Sequence, residues 1–175
     1  MAGADRERWD ARHAVVDAGS PTPPDALRGR LDLLPAGGRA LDLASGRGAV
    51  AVWLALRGFD VDAVDVSPVA LAAGAALADS HGVGVRWRSV DLDDGLPAGA
   101  WDVIVSQRFR DPALYPALAD ALRPGGLLVM TVLSEVGDEG GRFRAAPGEL
   151  LAAFGALDVL HHDERDGEAT LVARR

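Results

Sequence analysis

In Gly38-Arg39-Ala40-Leu41-Asp42-Leu43-Ala44-Ser45-Gly46-Arg47-Gly48-Ala49-Val50-Ala51-Val52-Trp53-Leu54-Ala55-Leu56, a short apolar run passes through a turn of small residues into a longer apolar run. The run Ala40 to Leu43 is apolar except for one carboxylate, Asp42, as expected of a central parallel strand covered on both faces. The small residues after it allow a ligand to approach the backbone. The helix that opens near Gly48 directs unpaired amides at whatever sits in the crevice. Strand, tight turn and helix together read as the first unit of a parallel α/β sheet with a ligand-binding turn.

Outward from this turn the chain alternates strand and helix. Before it, Asp5 to Val15 reads as a charged helix and Asp25 to Leu34 as another, with Leu27, Leu31 and Leu34 at helical spacing. After it come a strand from Phe59 to Val64 ending at Asp65, and a helix opened by Ser67-Pro68, the first as N-cap and the second in the first turn. A strand from Val83 to Val90, a strand from Trp101 to Val105, a helix to Leu122 and a strand from Leu127 to Leu133 follow. Ser134 to Ala146, polar and glycine-rich, reads as a mobile loop, and Pro147 to Ala153 as a short helix. Runs at Ala156 to His162 and Glu168 to Arg174 read as an antiparallel hairpin. Parallel neighbours need crossovers, so the pattern predicts a doubly wound sheet of seven strands, mostly parallel, with a carboxyl-terminal antiparallel hairpin. A single domain over 1–175 is expected, with 1–35 as an amino-terminal helical cap and 36–175 as the core.

Composition narrows the function classes. The net charge of −8 and pI of about 4.9 give no overall positive field for nucleic acid. Every basic residue is arginine, and cysteine is absent, which removes disulfides, thiolate catalysis and cysteine metal sites. The adjacent His161 and His162 would face opposite sides of a strand, so no metal site is expected. No apolar run approaches the ~20 residues that span a bilayer, and the amino terminus lacks the apolar middle of a secretory signal. A cytoplasmic location is expected, with no membrane partner; the oligomeric state is not legible.

Three carboxylates stand at or after strand ends, where ligands of open α/β sheets bind: Asp42, Asp65 and Asp91. Asp65 follows the turn at about the distance expected of an acid that accepts hydrogen bonds from ribose hydroxyls, so a nucleoside is the expected ligand. A dinucleotide fingerprint would need glycines at 44, 46 and 49, where the chain has Ala44, Gly46 and Ala49. Negative charge at Asp42 gains nothing from a diphosphate but suits a ligand with an ammonium group.

At this point the sequence resembles the class I S-adenosylmethionine-dependent methyltransferases, over most of its length. Leu41 to Gly48 looks like their acidic-plus-glycine first motif, Val64-Asp65-Val66-Ser67-Pro68 like the second, Val90-Asp91-Leu92 like the third, and Leu122 to Leu128 like the turn into their fifth strand. Ala44 departs from the commonest glycine, a change that an ordinary backbone angle would tolerate. Trp9-Asp10-Ala11-Arg12-His13 resembles an amino-terminal segment that folds over the cofactor in many small members. Phe109 to Gly126 and Pro147 to Leu151 look like the small bacterial group similar to tellurite-resistance-type methyltransferases.

The resemblance implies a Rossmann-like fold and S-adenosylmethionine as cofactor with S-adenosylhomocysteine as product; the lack of a basic excess and of an appended recognition domain leads to the expectation of a small-molecule acceptor and no nucleic-acid partner. The resemblance also implies that Asp65 holds the ribose, Val66 packs on adenine, and Asp91 with Leu92 reads the adenine edge. Asp42 with Ala44, Ser45, Gly46 and Gly48 would receive the methionine end; Ser106, Gln107 and Arg108 would lie beside the sulfonium; Trp9 and Arg12 would close over the ligand. No general base is assigned, because alignment of nucleophile and methyl can supply much of the rate. Bland readings stand beside these: Asp65 and Asp91 as strand-end caps, Trp9 as a core residue, Arg12 as partner of a helix neighbour. A nicotinamide-dependent oxidoreductase and a non-catalytic binder of cofactor or partner are the rival functions.

Overall fold

The computed structural model describes residues 7–11, 19–138, 140–141 and 143–175. Seven strands form one sheet in the order β3-β2-β1-β4-β5-β7-β6. They are β1 (Gly38–Leu43), β2 (Phe59–Asp65), β3 (Arg86–Ser89), β4 (Trp101–Gln107), β5 (Leu122–Leu133), β6 (Asp158–Arg165) and β7 (Glu168–Arg174). The helices are α1 (Ala49–Leu56), α2 (Pro68–Ser80), α3 (Tyr115–Ala121) and α4 (Glu149–Phe154). Strands β1 to β2, β2 to β3 and β4 to β5 pair in parallel, and β7 runs antiparallel to both β5 and β6. The expected mostly parallel sheet with a terminal antiparallel hairpin is therefore present. No helix of the described residues is long and apolar enough to cross a membrane.

The chain divides into two compact units, Met1–Pro23 with Gly37–Ala98, and Pro24–Ala36 with Gly99–Arg175. In the first, β1 and β2 are buried almost throughout, because apolar side chains on both faces leave only inward positions. Three carboxylates lie buried among them, Asp42, Asp62 and Asp65; of these Asp62, fully buried, is held by Arg39, Arg86 and Arg88 at 2.9–3.0 Å. A buried carboxylate is tolerated when it is paired in this way. On the alternate side of β3, Trp87 fills the space over Gly48 and Gly74.

In the second unit, Trp101, Ile104, Leu127, Leu128 and Met130 of β4 and β5 are almost fully buried. The hairpin closes through Asp166 (φ 51°) and Gly167 (φ 80°), two left-handed residues as a tight type I′ turn demands, so β6 runs three residues further than its apolar pattern indicates. The stretch Asp25 to Leu34, expected as one helix, forms two 3-10 turns, Asp25–Leu27 and Leu31–Leu33, because Gly29 between them takes φ 74° and interrupts the helical ladder. The stretch expected to be a mobile loop is tied down at its described residues: Arg144 donates to the carbonyls of Ser134 (2.7 Å) and Gly167 (3.1 Å), and Ser134 bridges to Ala145.

Candidate functional site

Asp42 is the last but one residue of β1 and is 3% exposed, with Oδ2 lacking any hydrogen-bond partner. Desolvation raises its pKa to about 7; the Ala51 backbone amide in the first turn of α1 opposes this, and the nearby charge of Asp65 adds to it. Near neutrality this carboxyl is poised between its two forms, and a cation placed against Oδ2 would tip it to the ionised one.

The turn that follows is built by its own amides. Ser45 N–H donates to the Val64 carbonyl, Gly48 N–H to the Ser45 carbonyl, and Gly46 N–H to Asp65 Oδ2 at 2.8 Å. The amides of Ser45, Gly46 and Gly48 are thus used within the fold and are not among the unpaired amides expected where the helix opens near Gly48. Ala44 takes φ 53°, in the left-handed region, so its methyl group is not accommodated by an ordinary backbone angle as expected; it is held there at a cost. Gly48 takes φ 74°, and a Cβ on it would stand 2.3 Å from the Trp87 ring. Glycine at 48 is required by packing as well as by conformation.

Asp65, at the carboxyl end of β2, joins the pieces. One oxygen holds Gly46 and the other accepts from Ser67 N–H at 2.9 Å. Ser67 caps α2 as its sequence indicates, accepting from Ala70 N–H, and its hydroxyl also donates to Asp10 in the helical residues 7–11. Val66 is half-buried between Asp65 and Ser67. Backbone pairing of Val90 N–H with the Asp65 carbonyl brings Asp91 to the same strand end, where its side chain caps the short 3-10 turn Leu92–Asp94 through Asp93 N–H, with Leu92 buried. Asp91 therefore has a structural task whatever else it does. Trp9, next to Asp10, is half-buried; Arg12 lies outside the described residues.

In the second unit the exit of β4 is also strained and anchored. Ser106 is buried, its hydroxyl donating to the Phe109 carbonyl at 3.4 Å. Gln107 accepts Asp25 N–H at 2.7 Å, which fixes the first of the 3-10 turns. Arg108 takes φ 57°, donates its amide to the Thr131 carbonyl and pairs at the surface with Glu168. Nearby in sequence, Arg110 grips Glu149 with two bonds of 2.7 and 2.6 Å, and Tyr115 donates to the same carboxylate at 2.9 Å. Arg110 holds Glu149 below the usual carboxylate range; burial and the Glu149 charge push the Tyr115 hydroxyl up. The sequence does not mark this cluster as a unit, because Glu149 lies 39 residues from Arg110 and 34 from Tyr115 and no periodicity links them. The sequence sets neither Asp10 nor Trp87 apart; Gly74, inside an alanine-rich helix, is a local trace of the tryptophan that packs on it.

Residues 40–126 match a family model described as a methyltransferase domain. Ribosomal RNA small subunit methyltransferase C of Chromohalobacter salexigens is 35% identical over 158 residues, covering 81% of this chain and 44% of that protein. TehB from Haemophilus influenzae superposes with a TM-score of 0.76 at 20% identity, covering 86% of this chain and 61% of that one, a likeness of fold alone. The DhpI complex with SAH superposes with a TM-score of 0.70 at 26% identity, over 99% of this chain and 96% of the other. The chain spans between 35% and 56% of the length of the curated relatives it matches.

Proposed function

Because the chain belongs to the class I S-adenosylmethionine-dependent methyltransferase family, we propose that it transfers a methyl group from S-adenosylmethionine to a small-molecule acceptor. The observation that carries the choice of cofactor is Asp42, a buried carboxyl with a raised pKa and an unpartnered oxygen. A diphosphate against it would be repelled, whereas the ammonium of a methionine moiety would complete it. Asp65 fits the ribose: its two backbone bonds use two of about four acceptor positions of a carboxylate, leaving room for two hydroxyl donors.

In this reading residues 36–175 form the core and 1–35 the cap. Asp42 and the 44–48 turn hold the methionine end, Asp65 the ribose, and Val66, Asp91 and Leu92 the adenine. Ser106, Gln107, Arg108, Trp9 and Arg12 enter on their motifs. When bound, the cofactor supplies a methyl carbon already activated by positive sulfur. The protein's part is to hold that end of the ligand still and to exclude water, with rate coming from alignment and no side chain assigned as base. A net charge of −8 favours a small acceptor over a nucleic acid, although the relative from Chromohalobacter carries ribosomal RNA in its name.

Thermal shift with S-adenosylhomocysteine, S-adenosylmethionine and NADH tests the cofactor, since a ligand that binds the native state raises the midpoint. Stabilisation by the first two alone is expected; stabilisation by NADH alone overturns the assignment. A panel of thiol, hydroxyl, amine and metalloid acceptors, with a ribosomal RNA fragment beside them, tests the acceptor. Methylation of the RNA and of none of the small molecules overturns that half.

A further inference from the structure

The hydrogen bond from Ser67 to Asp10 connects two segments that are 57 residues apart, and it does so at a hydroxyl already engaged on its other side. Ser67 accepts from Ala70 N–H, donates to Asp10 Oδ1, and gives its own backbone amide to Asp65 Oδ1. Asp10 is half-buried, and Trp9 beside it is also half-buried. A three-member chain therefore runs from residues 7–11 through the α2 cap to the carboxylate that also holds Gly46. We propose that Asp10 is a positioning residue which, through Ser67, seats the amino-terminal segment beside Asp65 and orients that carboxylate for S-adenosylmethionine. The proposal rests on the cofactor reading above.

Each link has a reason to be where it is. A serine N-cap with only the Ala70 bond would leave its hydroxyl proton free to rotate; the Asp10 carboxylate fixes it, and a charged acceptor makes the bond stronger than a neutral one. With the hydroxyl fixed, the Ser67 backbone cannot swing, and the Asp65 oxygen bound to it stays in one rotamer. The other Asp65 oxygen is fixed by Gly46. What remains available on Asp65 then points one way, which lowers the ordering cost of a ligand that binds there. Trp9 arrives as a passenger of Asp10 and adds apolar cover.

The test uses the whole chain, S-adenosylhomocysteine as probe, and the variants Asp10→Ala, Ser67→Ala and Ser67→Thr. Asp10→Ala leaves the Ala70 bond of the α2 cap intact and removes one charge-assisted bond, so its melting temperature without ligand is expected to fall by no more than about 5 °C, with the protein still folded. Its affinity for S-adenosylhomocysteine is expected to fall about tenfold, mostly through faster dissociation, and amides 7–11 to lose hydrogen-exchange protection in the ligand-free protein. Ser67→Thr keeps both hydroxyl bonds and is expected within about twofold of wild type. Asp10→Ala added to Ser67→Ala is expected to cost nothing further, as for two partners of one bond. Wild-type affinity in Asp10→Ala, or unchanged protection of 7–11, overturns the positioning role alone. A wild-type protein that does not bind S-adenosylhomocysteine overturns the cofactor reading and this role with it.

Discussion

Ala44 carries a left-handed backbone with a methyl group attached, a conformation that costs an L-residue roughly 1–2 kcal/mol. Glycine would remove that cost and give back part of it in unfolded-state entropy. Ala44→Gly is therefore expected to stabilise the protein by about 0.5–1 kcal/mol, a rise of about 1–4 °C in a thermal melt; a lower melting temperature would show that the methyl group packs usefully. Asp65 presents the opposite case. Its two oxygens satisfy the amides of Gly46 and Ser67, so Asp65→Ala is expected to lose about 2 kcal/mol of stability before any ligand is added, and denaturant unfolding of the ligand-free protein reads this directly. Asp65→Asn, which keeps an acceptor oxygen, is expected to lose less. Asp42, Asp65 and Asp91 were legible in the sequence because a carboxylate that ends an apolar run stands out. The left-handed angle at Ala44 was not, because alanine is the residue that least advertises its backbone conformation. Nor was Asp10, whose partner lies across the fold.

Among the elements, α1, α2 and β3 meet at one tryptophan. Gly74 sits inside α2, where alanine would ordinarily be worth up to about 1 kcal/mol more, yet a Cβ there would stand 2.6 Å from the Trp87 ring. Packing outweighs propensity in this comparison. Gly74→Ala is expected to cost about 1–2 kcal/mol in the wild type and to become stabilising in a Trp87→Leu background, a reversal of sign measurable by denaturant unfolding. Gly48→Ala is expected to cost more, about 2–4 kcal/mol, since it meets the same ring at 2.3 Å and also takes a left-handed angle. Existence and order of the strands were readable from apolar runs and strand-end acids. Two departures trace to a local backbone angle: Gly29 splits one expected helix into two 3-10 turns, and the Asp166-Gly167 turn lengthens β6; β3 is shorter than the expected Val83 to Val90, and β5 begins at Leu122, ahead of the expected Leu127. The tethering of the described residues of 134–146 is hidden in the sequence because it depends on Arg144 reaching carbonyls at 134 and 167, contacts with no sequence period.

For the whole molecule, Asp42 links stability to pH. Its folded pKa of about 7 lies above the ordinary 3.8, so the folded state binds the extra proton. The corresponding stabilisation is complete below pH ~4 and is lost as pH rises to about 7, by up to about 4 kcal/mol in all. Glu149 works in the other direction: Arg110 lowers its pKa, so its stabilisation is present above its ordinary value of 4.5 and disappears as pH falls below that through the lowered one. Because the two slopes overlap in acid, the difference between wild type and Asp42→Asn isolates Asp42. That variant is expected to be the more stable of the two at pH 8, with the advantage vanishing toward pH 4, as read by melts across the range. Ligand reverses the ranking. If the ammonium of S-adenosylhomocysteine pairs with ionised Asp42, wild-type affinity falls up to about tenfold for each pH unit below 7, while Asp42→Asn binds weakly and with no such slope. Equal slopes in the two proteins would remove Asp42 from the ligand. A buried carboxyl with an unpartnered oxygen weakens the ligand-free protein, and pairing with a ligand ammonium at the proposed site would offset that cost.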